Sequence, residues 1–231
     1  MSRPPFDTLN LGLHTGDAPE AVQENRGRVR RALQLPAEPS WLDQVHGAEV
    51  VSLEGGGSGE PPRADATVTR APGRVCAIQV ADCMPVLFAA RDGTAVGAAH
   101  AGWRGLAAGV LRATVRELAV APSELLAWLG PAIGPLHFEV GGEVRTALLD
   151  VDGGAGPVFA SNARGRWQCD LYAVARRQLA ALGVHDVYGG GWCTYADRER
   201  FFSYRRDGRC GRMAALVWIE LHRGGREDRS S

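Results

Sequence analysis

The stretch Val75-Cys-Ala-Ile-Gln-Val-Ala-Asp-Cys83-Met-Pro-Val-Leu-Phe-Ala-Ala-Arg91-Asp-Gly-Thr-Ala-Val-Gly-Ala-Ala-His100-Ala-Gly-Trp-Arg-Gly105 decides the fold. It holds three short apolar runs, Val75–Ala81, Val86–Ala90 and Ala95–Ala101, split by turn chemistry at Asp82-Cys83 with Pro85 and at Arg91-Asp92-Gly93. Uninterrupted apolar runs of this length predict strands buried on both faces. Gly102 closes the third, and Leu106, Val110, Leu111, Thr114 and Leu118 then fall at helical spacing. Outward from this centre, Ala18–Leu35 reads as a helix with Asp17 as N-cap and Pro19 early in it. Trp41–Val51 reads as strand, turn, strand with the break at Gly47, and Glu54–Pro62 as a surface loop too short to be a linker. Leu125–Leu129 predicts another buried strand, Val140–Leu149 and Leu171–Leu182 helices, the second capped by Asp170 and stopped by Gly183. Val184–Tyr188 and Met213–Leu221 predict strands. Strands and helices alternate without a repeat, so the expectation is α/β: a single compact multilayered domain over residues 1–222 with mixed sheets, and a frayed tail over 223–231.

With 231 residues, 45% of them apolar, the chain is long enough to bury a sizeable core. Its 26 basic residues, all arginine, balance 26 acidic ones. Zero net charge argues against non-specific nucleic-acid binding. The absence of lysine removes the P-loop lysine and Schiff-base chemistry, so any anion must meet arginine forks, helix N-termini or backbone amides. No membrane span and no secretory signal are readable, and the odd set Cys76, Cys83, Cys169, Cys193 and Cys210 has no C-x-x-C pair. Reduced thiols in a cytoplasmic protein are the expectation.

Dinucleotide, Walker, nucleophile-elbow and H-E-x-x-H motifs are all missing. What remains is His46 beside a strand break, Cys83 in a tight turn between two buried strands, and His100 closing a strand just before Ala101-Gly102-Trp103-Arg104-Gly105. Reactive groups in α/β sheets gather at strand ends. Two imidazoles and a thiolate suit zinc with a fourth position open, although no local ligand spacing links them. A Cys83–histidine hydrolase pair and purely structural roles stay open on spacing alone.

Several blocks resemble the YfiH-type "laccase domain" family, also described as multicopper polyphenol oxidoreductases and purine nucleoside phosphorylases. They are Leu9-Asn-Leu-Gly12, Glu24-Asn-Arg26, Gln44-Val-His46-Gly47, Ala64-Asp65-Ala66, Ala81-Asp82-Cys83-Met84-Pro85, Ala99-His100-Ala-Gly-Trp103-Arg104-Gly105, Leu129–Gly134, Asp170-Leu171, Cys193-Thr-Tyr195 and Phe202–Arg206, in order along nearly the whole chain. The resemblance implies a compact multilayered α/β fold and a single zinc on His46, Cys83 and His100. It implies phosphorolysis of adenosine, inosine, guanosine and methylthioadenosine, together with adenosine deamination. It also allows copper-dependent phenol oxidation and, in one branch, editing of peptidoglycan precursors.

Chemistry narrows these options. Six histidines, none in an H-x-H pair, exclude a four-copper oxidase. A single copper on the His₂Cys set is conceivable, but Met84, next to Cys83 on extended backbone, faces away from it. Deamination suits an open zinc site and a carboxyl to move protons, for which Asp82 and Asp65 are the candidates. Phosphorolysis needs an anion held by arginine. Arg104, where the chain enters the Leu106 helix, and Arg205, with Arg206 beside Tyr204, are the candidates. Asn10 is a candidate for a ribose hydroxyl or base edge, His14 and His137 for supporting positions, and Trp103 and Trp192 for stacking on a purine. The expected function is a cytoplasmic zinc-dependent purine nucleoside phosphorylase with deaminase activity, a monomer or homodimer. The alternatives are a cysteine amidase-like hydrolase editing peptidoglycan precursors with Cys83 as nucleophile, a single-copper polyphenol oxidoreductase, and a nucleoside-binding protein without catalysis.

Overall fold

A computed structural model describes residues 2–55 and 59–221, so the expected tail at 223–231 lies outside the described residues. Among the described residues there are eleven strands: β1 (Val50–Ser52), β2 (Ala66–Thr69), β3 (Val75–Val80), β4 (Met84–Ala90), β5 (Val96–Ala101), β6 (Leu125–Leu129), β7 (Glu139–Val140), β8 (Phe159–Ser161), β9 (Trp167–Cys169), β10 (Asp186–Gly189) and β11 (Met213–Trp218). The helices are α1 (Pro19–Ala32), α2 (Trp103–Ala108), α3 (Val110–Leu118), α4 (Gly142–Val151), α5 (Leu171–Ala181) and α6 (Tyr204–Asp207). The central sheet runs β1-β2-β5-β4-β6-β10, antiparallel in the middle and parallel at the two edges. β11 and β3 form an antiparallel pair, and β7-β9-β8 a small third sheet.

Side-chain alternation on β4 shows how the layers stack. Met84, Val86, Phe88 and Ala90 join the core under α2, α3 and α5. Leu87 and Ala89 pack on the opposite core, against Ile78 and Val80 of β3 and Met213 and Val217 of β11. The central sheet is therefore buried on both faces, helices on one side and the β3–β11 pair on the other. This mixed α/β domain with mixed sheets is the expected class. On β5, Val96 and Ala98 belong to the β3–β11 side, Ala99 and Ala101 to the helical side. By the same two-residue period His100 is carried on the β3–β11 side.

The expected helix Leu106–Leu118 is two helices, interrupted at Gly109, whose φ of +87° no helix accommodates. The N-cap of α1 is Ala18, not Asp17, which accepts a hydrogen bond from the Ala18 N–H instead. Asp170 does cap α5, accepting from Ala173 N–H, and Gly183 at φ +88° follows its end. Val140 belongs to β7 and the next helix begins at Gly142; β10 starts at Asp186 and β11 stops at Trp218. Among the described residues no helix is long and apolar enough to cross a membrane.

Candidate metal centre

His46, Cys83 and His100 come from three separate elements, and one ligand atom from each lies within 4.8 Å of the others. Donors around one tetrahedral zinc stand roughly 3.3–3.8 Å apart, given bonds of about 2.0–2.3 Å. Closing the remaining gap takes only small side-chain rotations. The strand register does the gathering. β4 and β5 pair Met84 with Ala101 and Pro85 with His100, so Cys83 falls opposite Gly102 at the same sheet end. The two imidazole rings meet edge to face, their centroids 4.8 Å apart.

Asp65 organises this end of the sheet and is completely buried. Its Oδ1 accepts from His46 N–H at 2.9 Å and lies 2.8 Å from His100 Nδ1; its Oδ2 accepts from Val45 N–H at 3.1 Å and Gly47 N–H at 2.6 Å. The Asp65 carbonyl also accepts from His100 N–H at 2.7 Å. Three consecutive N–H groups aimed at one carboxylate hold His46 at φ +61°, a conformation that costs a non-glycine residue about 1–2 kcal/mol. The Nδ1 contact sets the His100 tautomer, leaving Nε2 for a metal, as in carboxylate–histidine–zinc relays. Burial alone would push the Asp65 carboxyl up. The hydrogen bonds from His100, Gly47 and His46 outweigh it and hold the group below its ordinary range.

At Cys83 burial likewise opposes ionisation, but His100 and His46 win and bring the thiol down to about 6. The reciprocal pull of Cys83 and Asp65 raises His100 against the desolvation that would lower it. A thiolate and two imidazoles form a donor set for a borderline-soft divalent ion. Met84 is sealed in the helical-side core, on the opposite face from His100, so it offers no axial ligand.

Asp82, at φ +84°, starts the turn that presents Cys83. Its Oδ1 accepts from the Thr194 hydroxyl and its Oδ2 from the Arg205 N–H, each at 2.6 Å, so both oxygens brace the turn against the Cys193–Arg206 segment. Arg205 gives one guanidinium N–H to the Glu139 carbonyl at 2.8 Å and is otherwise exposed, and Arg104 is exposed over the Trp103 ring. Asn10 is fully buried. Its amide meets Gly12 O, Thr15 Oγ1 and Asp17 Oδ2, and its carbonyl accepts from Gly12 and Arg212 N–H, so its side chain is spent on holding the 10–17 turn. Arg206 is likewise committed, to the carbonyls of Thr194, Tyr195 and Phe201 and to Asp207. His14 is exposed on a short turn, His137 lies against Cys193 and Tyr195, Trp103 is half-buried, and Trp192 is exposed beside Phe201. A cavity of about 1080 Å³ is walled by Leu9, Leu33, Phe202 and Trp218 and touches none of the three ligands.

Sequence reasoning missed the part of Asp65 as clamp of both histidines, and the part of Gly102. A Cβ on Gly102 would stand 2.7 Å from Cys83 Sγ and 3.6 Å from a His46 ring carbon, while its own φ of −73° suits any residue. Gly102→Ala is therefore a purely steric probe. It is expected to leave the thermal transition within a few degrees and to weaken zinc binding about tenfold or more, measured by competition with a chromogenic chelator.

Residues 1–220 match the family model described as multi-copper polyphenol oxidoreductase laccase. A protein named purine nucleoside phosphorylase YfiH from Escherichia coli K12 is 53% identical over 222 residues, 95% of this chain and 89% of that one. A purine nucleoside phosphorylase of Pseudomonas aeruginosa is 54% identical over 221 residues, with the same coverage. A crystal structure of a Neisseria meningitidis protein superposes with a TM-score of 0.90 at 47% identity, over 96% of this chain and 90% of that one. The chain belongs to the laccase-domain family of YfiH-type proteins.

Proposed function

We propose that this chain is a zinc-dependent purine nucleoside phosphorylase that also deaminates adenosine, working in the cytoplasm. The observation that carries the reading is the convergence of His46, Cys83 and His100 on one point, in a chain whose relatives at more than half identity bear the phosphorylase name. Adenosine, inosine, guanosine and methylthioadenosine are the substrates. A phosphate oxygen bonds to C1′ as the N-glycosidic bond breaks, giving the free base and the sugar 1-phosphate. His46, Cys83 and His100 would hold zinc, which when bound would supply Lewis acidity.

The chain's own residues do the rest. Asp65 keeps His100 in the tautomer with a free Nε2 and fixes the His46 loop. Asp82 sets the turn that aims Cys83. Arg104 and Arg205, whose guanidinium groups are exposed, receive the phosphate as bidentate donors. Asn10 holds the 10–17 turn instead of touching the ribose.

The test is a product screen of zinc-loaded protein with each nucleoside, with and without phosphate. Free base and sugar 1-phosphate are expected only with phosphate, and inosine from adenosine in either case. Base release at the same rate without phosphate, or no turnover of any of the four, overturns the reading. One observation favours a second reading. Cys83 lies beside two imidazoles whose pull brings its thiol down to about 6, the equipment of a cysteine amidase acting on a peptidoglycan precursor. There zinc inhibits, whereas here it is required.

A further inference from the structure

Five thiols are present, and the metal centre uses one. Cys76, Cys169 and Cys210 are sealed in the interior, at most 3% exposed, where burial makes ionisation costly. Cys193 is different. It is half-exposed and lines two cavities, one of about 400 Å³ walled by Tyr172, Arg176 and Trp192, the other of about 690 Å³ beside Asp197 and Arg198. Its Sγ accepts the Gly134 N–H at 3.2 Å and lies 3.5 Å from His137 Nδ1. The His137 ring is fixed by near-parallel stacking on Tyr195, centroids 4.5 Å apart. A base within reach of the thiol proton, a backbone donor aimed at the sulfur and an open approach are the three requirements of a reactive thiol. Nothing in the proposed phosphorolysis uses the pair.

We propose that Cys193 is a peroxide-reactive modification site with His137 as its proton partner. His137 takes the thiol proton, and the sulfur attacks one oxygen of a hydroperoxide. The S–O bond forms as the O–O bond breaks. The second oxygen leaves with the bonding pair, recovers the proton from His137 and departs as water or an alcohol. Sulfur is oxidised by two electrons to the sulfenic acid and the peroxide is reduced by two. Gly134 carries no side chain beside the sulfur, where a Cβ would stand 3.2 Å from it. The neighbouring Thr194 hydroxyl holds Asp82, one residue from Cys83, so the modified segment is tied directly to the turn that carries a metal ligand.

The test treats the folded, zinc-supplemented full chain with a small excess of hydrogen peroxide, traps sulfenic acid with dimedone and maps the adduct by peptide mass spectrometry. The adduct is expected on Cys193 and to vanish in Cys193→Ser. His137→Asn and His137→Gln, each checked for a native denaturation transition, are expected to slow trapping about tenfold. Absence of an adduct at Cys193 in the wild-type protein overturns the proposal by itself, whatever the variants do. Trapping as fast in both folded His137 variants as in wild type overturns the role of the histidine.

Discussion

Cys83→Ala is expected to emerge folded, metal-free and inactive. Cys83 is only half-buried, at a turn whose backbone is held by Asp82, so losing its sulfur removes little packing and the thermal transition should shift by no more than a few degrees. The metal centre has no such reserve. With two imidazoles left, affinity for zinc should fall on the order of 10³-fold, because a thiolate supplies the strongest single bond and the only negative charge in the set. Phosphorolysis of inosine and deamination of adenosine should drop together to background. Elemental analysis and the product screen on one preparation check both. A metal-free Cys83→Ala protein that still turns over inosine at the wild-type rate ends the metal reading. A variant that retains stoichiometric zinc yet has lost all activity points to Cys83 as a nucleophile.

Much of the fold was legible because its central strands are simple. Val75–Val80, Met84–Ala90 and Val96–Ala101 are buried at nearly every position, and an uninterrupted apolar run is the signature of such strands. What escaped notice lacks that signature. β2, Ala66-Thr-Val-Thr69, is fully buried, but two of its four residues carry hydroxyls that read as polar. The sheet β7-β9-β8 has strands of two or three residues, too short for any period to register. The helical spacing from Leu106 to Leu118 runs straight over Gly109, a true break, since only the three-dimensional path of α2 into α3 demands its positive φ. In the site, His46, Cys83 and His100 were recognisable as the right residue types at strand ends. Their convergence came only from the family resemblance and not from spacing, because it depends on the register of β4 against β5 and on a loop held by Asp65. Asp65 offers no local pattern of its own, and its importance is the number of donors that meet it.

That number makes Asp65→Asn the sharpest single-atom test of how the centre is built. The carboxylate accepts at four points, with two donors on each oxygen. An asparagine amide offers one acceptor oxygen and one donor nitrogen. With the N–H₂ in place of Oδ2, the Val45 and Gly47 N–H groups go unsatisfied in a dry interior. With it in place of Oδ1 the His46 N–H does, while His100 Nδ1 has to accept and gives up the tautomer that frees Nε2. Each orphaned buried donor costs about 1–3 kcal/mol, and the lost charge assistance adds to it, so a destabilisation of roughly 3–5 kcal/mol is expected. Chemical denaturation of the metal-free proteins measures it. The His46 loop, no longer clamped at its positive φ, and His100, no longer fixed in tautomer, should together lower zinc affinity a further 10–100-fold, the range for losing such an orienting carboxylate. The pH dependence has a definite sign. Because the folded state holds the Asp65 carboxyl below its ordinary value, the stabilisation is present above the unfolded pKa near 4 and is lost as pH falls through the folded one. The gap between wild type and Asp65→Asn should therefore be full at neutral pH and close as the solution is made more acidic than about pH 4. A variant within 1 kcal/mol of wild type at pH 7, binding zinc equally well, would mean that the two histidines are held in place by something other than this carboxylate.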